Sequence, residues 1–129
     1  MKPEIQALIQ RAEDSLRLAS RLLHESVYAV AASQAYYAMF YMASAALLTR
    51  GLRFKRHASL VRAFGGEFVK SGLLPSHLQK KLGAAFVERI RSDYEVLQDV
   101  TREDAADQLD RAEEFVTAVK AFLEKESQR

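Results

Sequence analysis

The sequence predicts an all-α fold: a four- to five-helix up-and-down antiparallel bundle forming a single domain over residues 1–129. Apolar residues recur at spacings of three and four through most of the chain, and the alternation of a strand is absent. Glycine and proline are scarce, at five and two, and fall between the periodic runs. About half the residues are hydrophobic, and 129 residues suffice for one core but not for two.

The first helix is expected to start near Pro3, an early-helix residue by virtue of its fixed φ. Its apolar stripe is Ile5, Leu8, Ile9, Ala12, Leu16, Ala19 and Leu23. Ser26 is the expected N-cap of a second helix running to Thr49 or Arg50, and Gly51 is placed to end it. From Ser26 to Thr49 no charged residue occurs, a length that could span a bilayer. The run leans on Ala, Ser and Tyr with Gln34 at its centre, so a buried central helix is the expectation and a membrane span is not.

A basic loop, G-L-R-F-K-R-H-A, covers Gly51 to Ala58. A short third helix is expected over Ser59–Lys70 with Val61, Phe64 and Phe68 inward; Gly65-Gly66 weakens it and permits a kink or close backbone packing. The fourth helix begins near Pro75 and turns Leu78, Leu82, Ala85, Phe86 and then Arg89 toward the core. Segment 93–101 has no clear period. Thr101 with Asp104 three residues later is an acidic variant of the capping box, opening a fifth helix whose inner stripe is Leu109, Ala112, Val116, Val119 and Leu123 and which frays after Glu124.

Charge is unevenly distributed. Residues 1–49 hold four basic and four acidic side chains, residues 50–91 hold ten and two, and residues 92–129 hold five and eleven. The positive middle suits a phosphate-rich partner, RNA or nucleotide, because neutralising phosphates releases counterions. It equally suits neutralisation by the acidic C-terminal segment, which would make the chain a non-catalytic protein-interaction module.

Several chemistries are excluded. Without cysteine there is no disulfide, thiolate metal site or cysteine nucleophile. The histidines, His24, His57 and His77, lack ligand spacing, and no Gly-rich phosphate loop or hydrolase motif occurs, so neither a metal nor a cofactor is expected. The N-terminal M-K-P-E-I-Q-A-L places charges where an export signal needs an apolar core, which points to the cytoplasm.

Two places carry candidate chemistry. His57 closes a run containing Arg50, Arg53, Lys55 and Arg56, positive charges expected to favour its neutral form. A neutral histidine beside an arginine suits metal-independent RNA cleavage, with His57 taking the 2′-hydroxyl proton and Arg50 or Arg89 stabilising the phosphorane. The plainer alternative for His57 is a polar cap on the third helix. In E-R-I-R-S-D-Y-E, Arg89 and Asp93 share a helix face at i, i+4, while Arg91 points elsewhere and Tyr94 falls on the side of Ile90. Arg89, Arg91, Asp93 and Tyr94 are read as one edge of a binding site, with Asp93 orienting the Arg89 guanidinium, the plainer alternative being a helix that closes itself off with an ion pair.

Taken together, A-Y-Y-A-M-F-Y at 35–41, H-A-S-L-V-R-A-F-G-G-E-F-V-K-S-G-L-L-P at 57–75 and R-I-R-S-D-Y at 89–94 resemble the HEPN-domain family, in particular its small single-domain prokaryotic members. The resemblance implies a helical bundle, a homodimer, and a toxin–antitoxin-like pairing with a minimal nucleotidyltransferase. It also implies a nucleotide- or RNA-related role, since many such proteins are metal-independent ribonucleases. Their signature is an arginine followed after four to six residues by a histidine in the later helices. Here Asp93-Tyr94 stands where that histidine is expected, and Arg50 with His57 meets the spacing only in the loop after the second helix. Tyr94 resembles the tyrosine some family toxins present to the transferase for modification.

Overall fold

The computed structural model describes residues 1–94 and 99–129, without the side chains of residues 92–94. Helix α1 spans Pro3–His24, α2 Tyr28–Leu48, α3 His57–Phe64, α4 Ser76–Tyr94 and α5 Arg102–Ser127. Among the described residues there is no strand. None of the described helices is long and apolar enough to cross a membrane.

Cross-helix contacts set the directions. Glu4 of α1 pairs with Arg53 beyond the end of α2, and Arg50 there pairs with Glu126 near the end of α5. The N-terminus of α1 thus meets the C-terminal ends of α2 and α5. Along α4 and α5, Lys81 reaches Glu114 while the carbonyl of Ala85 accepts from Gln108, so these two run antiparallel. The four long helices alternate up and down, as expected of such a bundle.

Helix α2 is the central element. Ala35, Tyr36, Ala38, Met39, Met42, Ala43, Ala45 and Ala46 are all fully buried, against α1 on one side and α5 on another. Alanine at so many contact positions lets the helices approach closely, and it explains why an uncharged 24-residue run serves a core. From the other helices Phe64, Phe68, Leu78, Leu82, Phe115 and Val119 complete the interior, each with no exposed surface.

The boundaries differ from expectation in three places. Ser26 does not cap α2; it sits in the left-handed region at φ 64°, and Val27 precedes the helix without a side-chain cap. Two backbone bonds hold the tight turn: the amides of Ser26 and Val27 donate to Leu23 and Leu22. Helix α3 starts at His57, two residues early. It then passes into a π-helical turn over Gly65–Val69, the form the weak Gly65-Gly66 pair takes. A β-carbon on Gly65 would lie 1.9 Å from the Gln79 amide, so glycine here permits close packing on α4. The inward residue of α3 besides Phe64 is Leu60, with Val61 half-buried. Finally, α5 continues to Ser127, because the Arg50–Glu126 pair and buried Leu123 hold its last turns.

Thr101 and Asp104 form the reciprocal capping box that the sequence indicates: the Thr101 hydroxyl accepts from the Asp104 amide at 3.0 Å and the Asp104 carboxylate from the Thr101 amide at 3.2 Å. Thr101→Ala is expected to cost about 1 kcal/mol in urea unfolding. A loss below a few tenths would mean that tertiary contacts alone hold the start of α5.

Candidate functional site: an arginine and a histidine on an aromatic floor

Three elements converge beside the N-terminal half of α2. Tyr36 and Phe40, four residues apart, lie on one helix face, and Tyr37 and Tyr41 form the adjacent stripe. The loop after α2 brings His57 back to them as the first residue of α3. From α4 come Phe86 and Arg89, the expected inner stripe, both half-buried.

The Tyr36 ring is fully buried, so its hydroxyl needs a partner, and it lies 2.8 Å from His57 Nδ1. The imidazole is flanked by Phe40, with centroids 4.3 Å apart, and by Phe86 at 6.1 Å. The Arg89 guanidinium carbon lies 4.4 Å from the Tyr37 ring centroid and 5.5 Å from that of Tyr36. Stacking uses the faces of a guanidinium, whereas its N–H groups point outward in its plane. Arg89 is thus packed against both tyrosine rings, and a guanidinium is the side-chain group whose geometry suits a phosphate or carboxylate.

The electrostatics follow from this packing. Burial pushes the Tyr36 phenol well above its ordinary range, partly opposed by Arg89, so it remains protonated. Burial also lowers His57, and the Arg89 charge lowers it further. The direction is the one expected from the sequence, but its cause is burial and Arg89 rather than the basic run before it. Helix α3 adds to this, since its N-terminus has no side-chain cap and its positive end disfavours an imidazolium there.

A depressed histidine has a sign. Between its folded value and the unfolded 6.5, the unfolded chain binds more protons, so stability rises with pH in that window. The urea midpoint is therefore expected to fall as pH drops below 6.5, and His57→Gln to flatten that fall. Carboxylates lowered by ion pairs, Glu4 and Glu126, lose their contribution as pH falls below their ordinary 4.5, so the comparison is made above that pH. An identical slope in the variant would remove His57 as its source.

The other candidate residues lie apart from this cluster. Arg50 follows the C-terminal end of α2, roughly 20 Å along the axis from Tyr36. There it makes a two-pronged pair with Glu126 at 2.8 and 2.9 Å over the Phe68 ring. Arg53 is held by Glu4. Arg53 and Lys55 line a separate cavity of about 370 Å³ whose walls include Leu8, Leu48, Leu52 and Phe54. Arg56 is exposed beside His57, and Arg91 is exposed and pairs with Glu88 at 3.2 Å. Asp93 and Tyr94 belong to α4, but their side chains lie outside the described residues.

The basic middle is only partly neutralised: Arg50 and Lys81 pair with α5, while Lys55, Arg56 and Arg62 make no ion pair among the described residues. Among those residues no cluster of three or more His, Asp or Glu side chains gathers. Reading the sequence for charge and titratable groups overlooked Tyr36, Tyr37 and Phe86. The signal was the aromatic run at 35–41, whose i, i+4 spacing places two rings on each of two stripes.

Fold and site together define a small helical-bundle protein with a recessed arginine–histidine pair carried on aromatic rings. The sequence matches the HEPN domain over residues 5–122, and the chain belongs to that family. It is 32% identical to a Methanocaldococcus jannaschii protein named "Putative toxin MJ0142", over 95% of this chain and 83% of the relative. It is 36% identical to a second from that organism, "Putative toxin MJ0605", over 95% of this chain and 91% of the relative. A UPF0332 protein of Thermotoga maritima is 36% identical over 89% and 87%.

Proposed function

We propose that this chain is a toxin-like HEPN protein that binds a phosphate group of RNA or a nucleotide at Arg89 and His57. The observation that carries the reading is the Tyr36–His57 hydrogen bond, formed beside a guanidinium packed over two tyrosine rings. A buried phenol has one proton to place, and Nδ1 lies within reach. With Tyr36 donating, Nδ1 is the acceptor and the imidazole hydrogen resides on Nε2. Neutral His57 is then a second donor beside Arg89, the pairing an anion requires. The uncapped start of α3 supplies favourable dipole at the same place. Exposed Lys55, Arg56 and Arg62 add the steering charge.

The toxin names of the relatives support a toxin–antitoxin-like role, in which the partner is a minimal nucleotidyltransferase as the family resemblance implies. Exposed Val30 on α2 and exposed Val87 and Ile90 on α4 are the apolar side chains that a homodimer contact would cover. The setting is the cytoplasm.

A second reading is favoured by the packing of His57 among Phe40, Phe86 and Tyr36 near Arg89, where burial and the Arg89 charge disfavour its cation: a metal-independent ribonuclease in which His57 is the base and Arg89 stabilises the phosphorane. That role needs the other tautomer, with the hydrogen on Nδ1. The test is calorimetric titration with pyrophosphate and with RNA at two salt concentrations, alongside RNA incubation in chelator. Binding that weakens as salt rises supports the phosphate site. Absence of binding at low salt sinks it, and chelator-resistant cleavage lost in His57→Ala establishes the ribonuclease instead.

A further inference from the structure

Tyr37 and Tyr41 stand one turn apart on α2, with ring centroids at 6.1 Å and planes at 29°. Arg89 of α4 lies 4.4 Å over the first ring, and Arg11 of α1 lies 6.0 Å over the second. The order Arg89, Tyr37, Tyr41, Arg11 is a ladder of cation, ring, ring and cation joining three helices. Both tyrosines are half-buried and Arg11 is exposed. Arg11 sits at the outer limit of cation–π attraction, about 6 Å, so its hold on Tyr41 is weak. A flat ring needs little more room than that gap to enter between them, and an exposed arginine has the freedom to lift.

We propose that this ladder is a stacking track for unpaired RNA: a base inserts between Tyr41 and Arg11 while a neighbouring phosphate occupies the Arg89–His57 site. The inference rests on the phosphate reading above and narrows its ligand to a single strand. Every base has a π-face, so stacking on tyrosine and arginine is tolerant of sequence. A duplex keeps those faces inside its own stack and presents only backbone and grooves. Helix α2 contributes no charge along its length, so the affinity of the track comes from stacking and its anchoring charge from α1 and α4.

The test uses the whole chain and three probes: pyrophosphate, a fluorescein-labelled single-stranded hexaadenylate, and an equally labelled blunt-ended, GC-rich RNA duplex long enough to stay paired throughout the assay. Tyr41→Leu, which keeps apolar bulk, and Arg11→Gln, on the exposed side, are each expected to weaken the single strand about tenfold and leave pyrophosphate affinity unchanged. The duplex is expected to bind more weakly than the strand. Strand affinity unchanged in both variants, with pyrophosphate still bound, overturns the track and leaves the phosphate site standing. A duplex bound as tightly as the strand overturns the track as well. If strand affinity falls only as sedimentation shifts from dimer to monomer, the rings belong to a subunit contact and the proposal fails. Absence of binding to any probe by the unaltered chain removes the phosphate reading itself.

Discussion

Arg89→Gln is expected to weaken binding of pyrophosphate and of RNA by about one to two orders of magnitude, the loss of one or two charge-assisted hydrogen bonds. Glutamine retains reach and polarity but loses the charge, the fork and the stacking on Tyr37 and Tyr36. Arg89→Lys is the informative companion. It keeps the charge as a point on a flexible stem, so RNA affinity is expected to recover in part while the salt dependence stays near that of the parent. Removing Arg89 also relieves His57 of a positive neighbour, so the imidazole is expected to titrate higher in Arg89→Gln, readable by NMR. Affinity within twofold of the parent, in a variant with an unchanged unfolding midpoint, would place the phosphate elsewhere.

Phe115→Ala is expected to produce the largest loss of stability, about 3–5 kcal/mol. Phe115 of α5 is wholly buried and packs 5.3 Å from Phe64, which in turn lies 5.4 Å from Phe68. Its removal leaves a ring-sized void between α5 and α3. Against a total stability of about 5–15 kcal/mol, such a loss brings the folded state close to its limit. Urea unfolding with an unchanged m-value and a much lower midpoint is the expected result. A change under 1 kcal/mol would show that the aromatic cluster repacks freely.

The fold was legible because it rests on periodicity. The stripes of α1, α4 and α5 face the core as their spacing requires, and Thr101 with Asp104 starts α5 where a capping box should. Ser26 was misread because serine is a strong N-cap and nothing local distinguishes that use from a left-handed turn residue held by two backbone bonds. The site was only half legible. Arg89 could be placed on the inner side of α4 from its register, and His57 could be singled out by its setting. Their meeting depends on how a loop folds back over α2, information carried by packing rather than by spacing. Arg50 stands apart for the converse reason: its interval from His57 in sequence says nothing about Glu126, 76 residues further on, with which its guanidinium pairs.

Tyr36 belongs at once to the interior and to the candidate site. Its ring has no exposure among the fully buried residues of α2, yet its hydroxyl is hydrogen-bonded to His57 Nδ1, so the phenol proton and the imidazole tautomer are set together. The protonation pattern of that imidazole is consequently a gauge of how α2 is seated. A partner that levers α2 by a fraction of an ångström, or a cavity opened beneath it, would reach the chemistry of the site without touching it. The nitrogen resonances of one histidine would register the event.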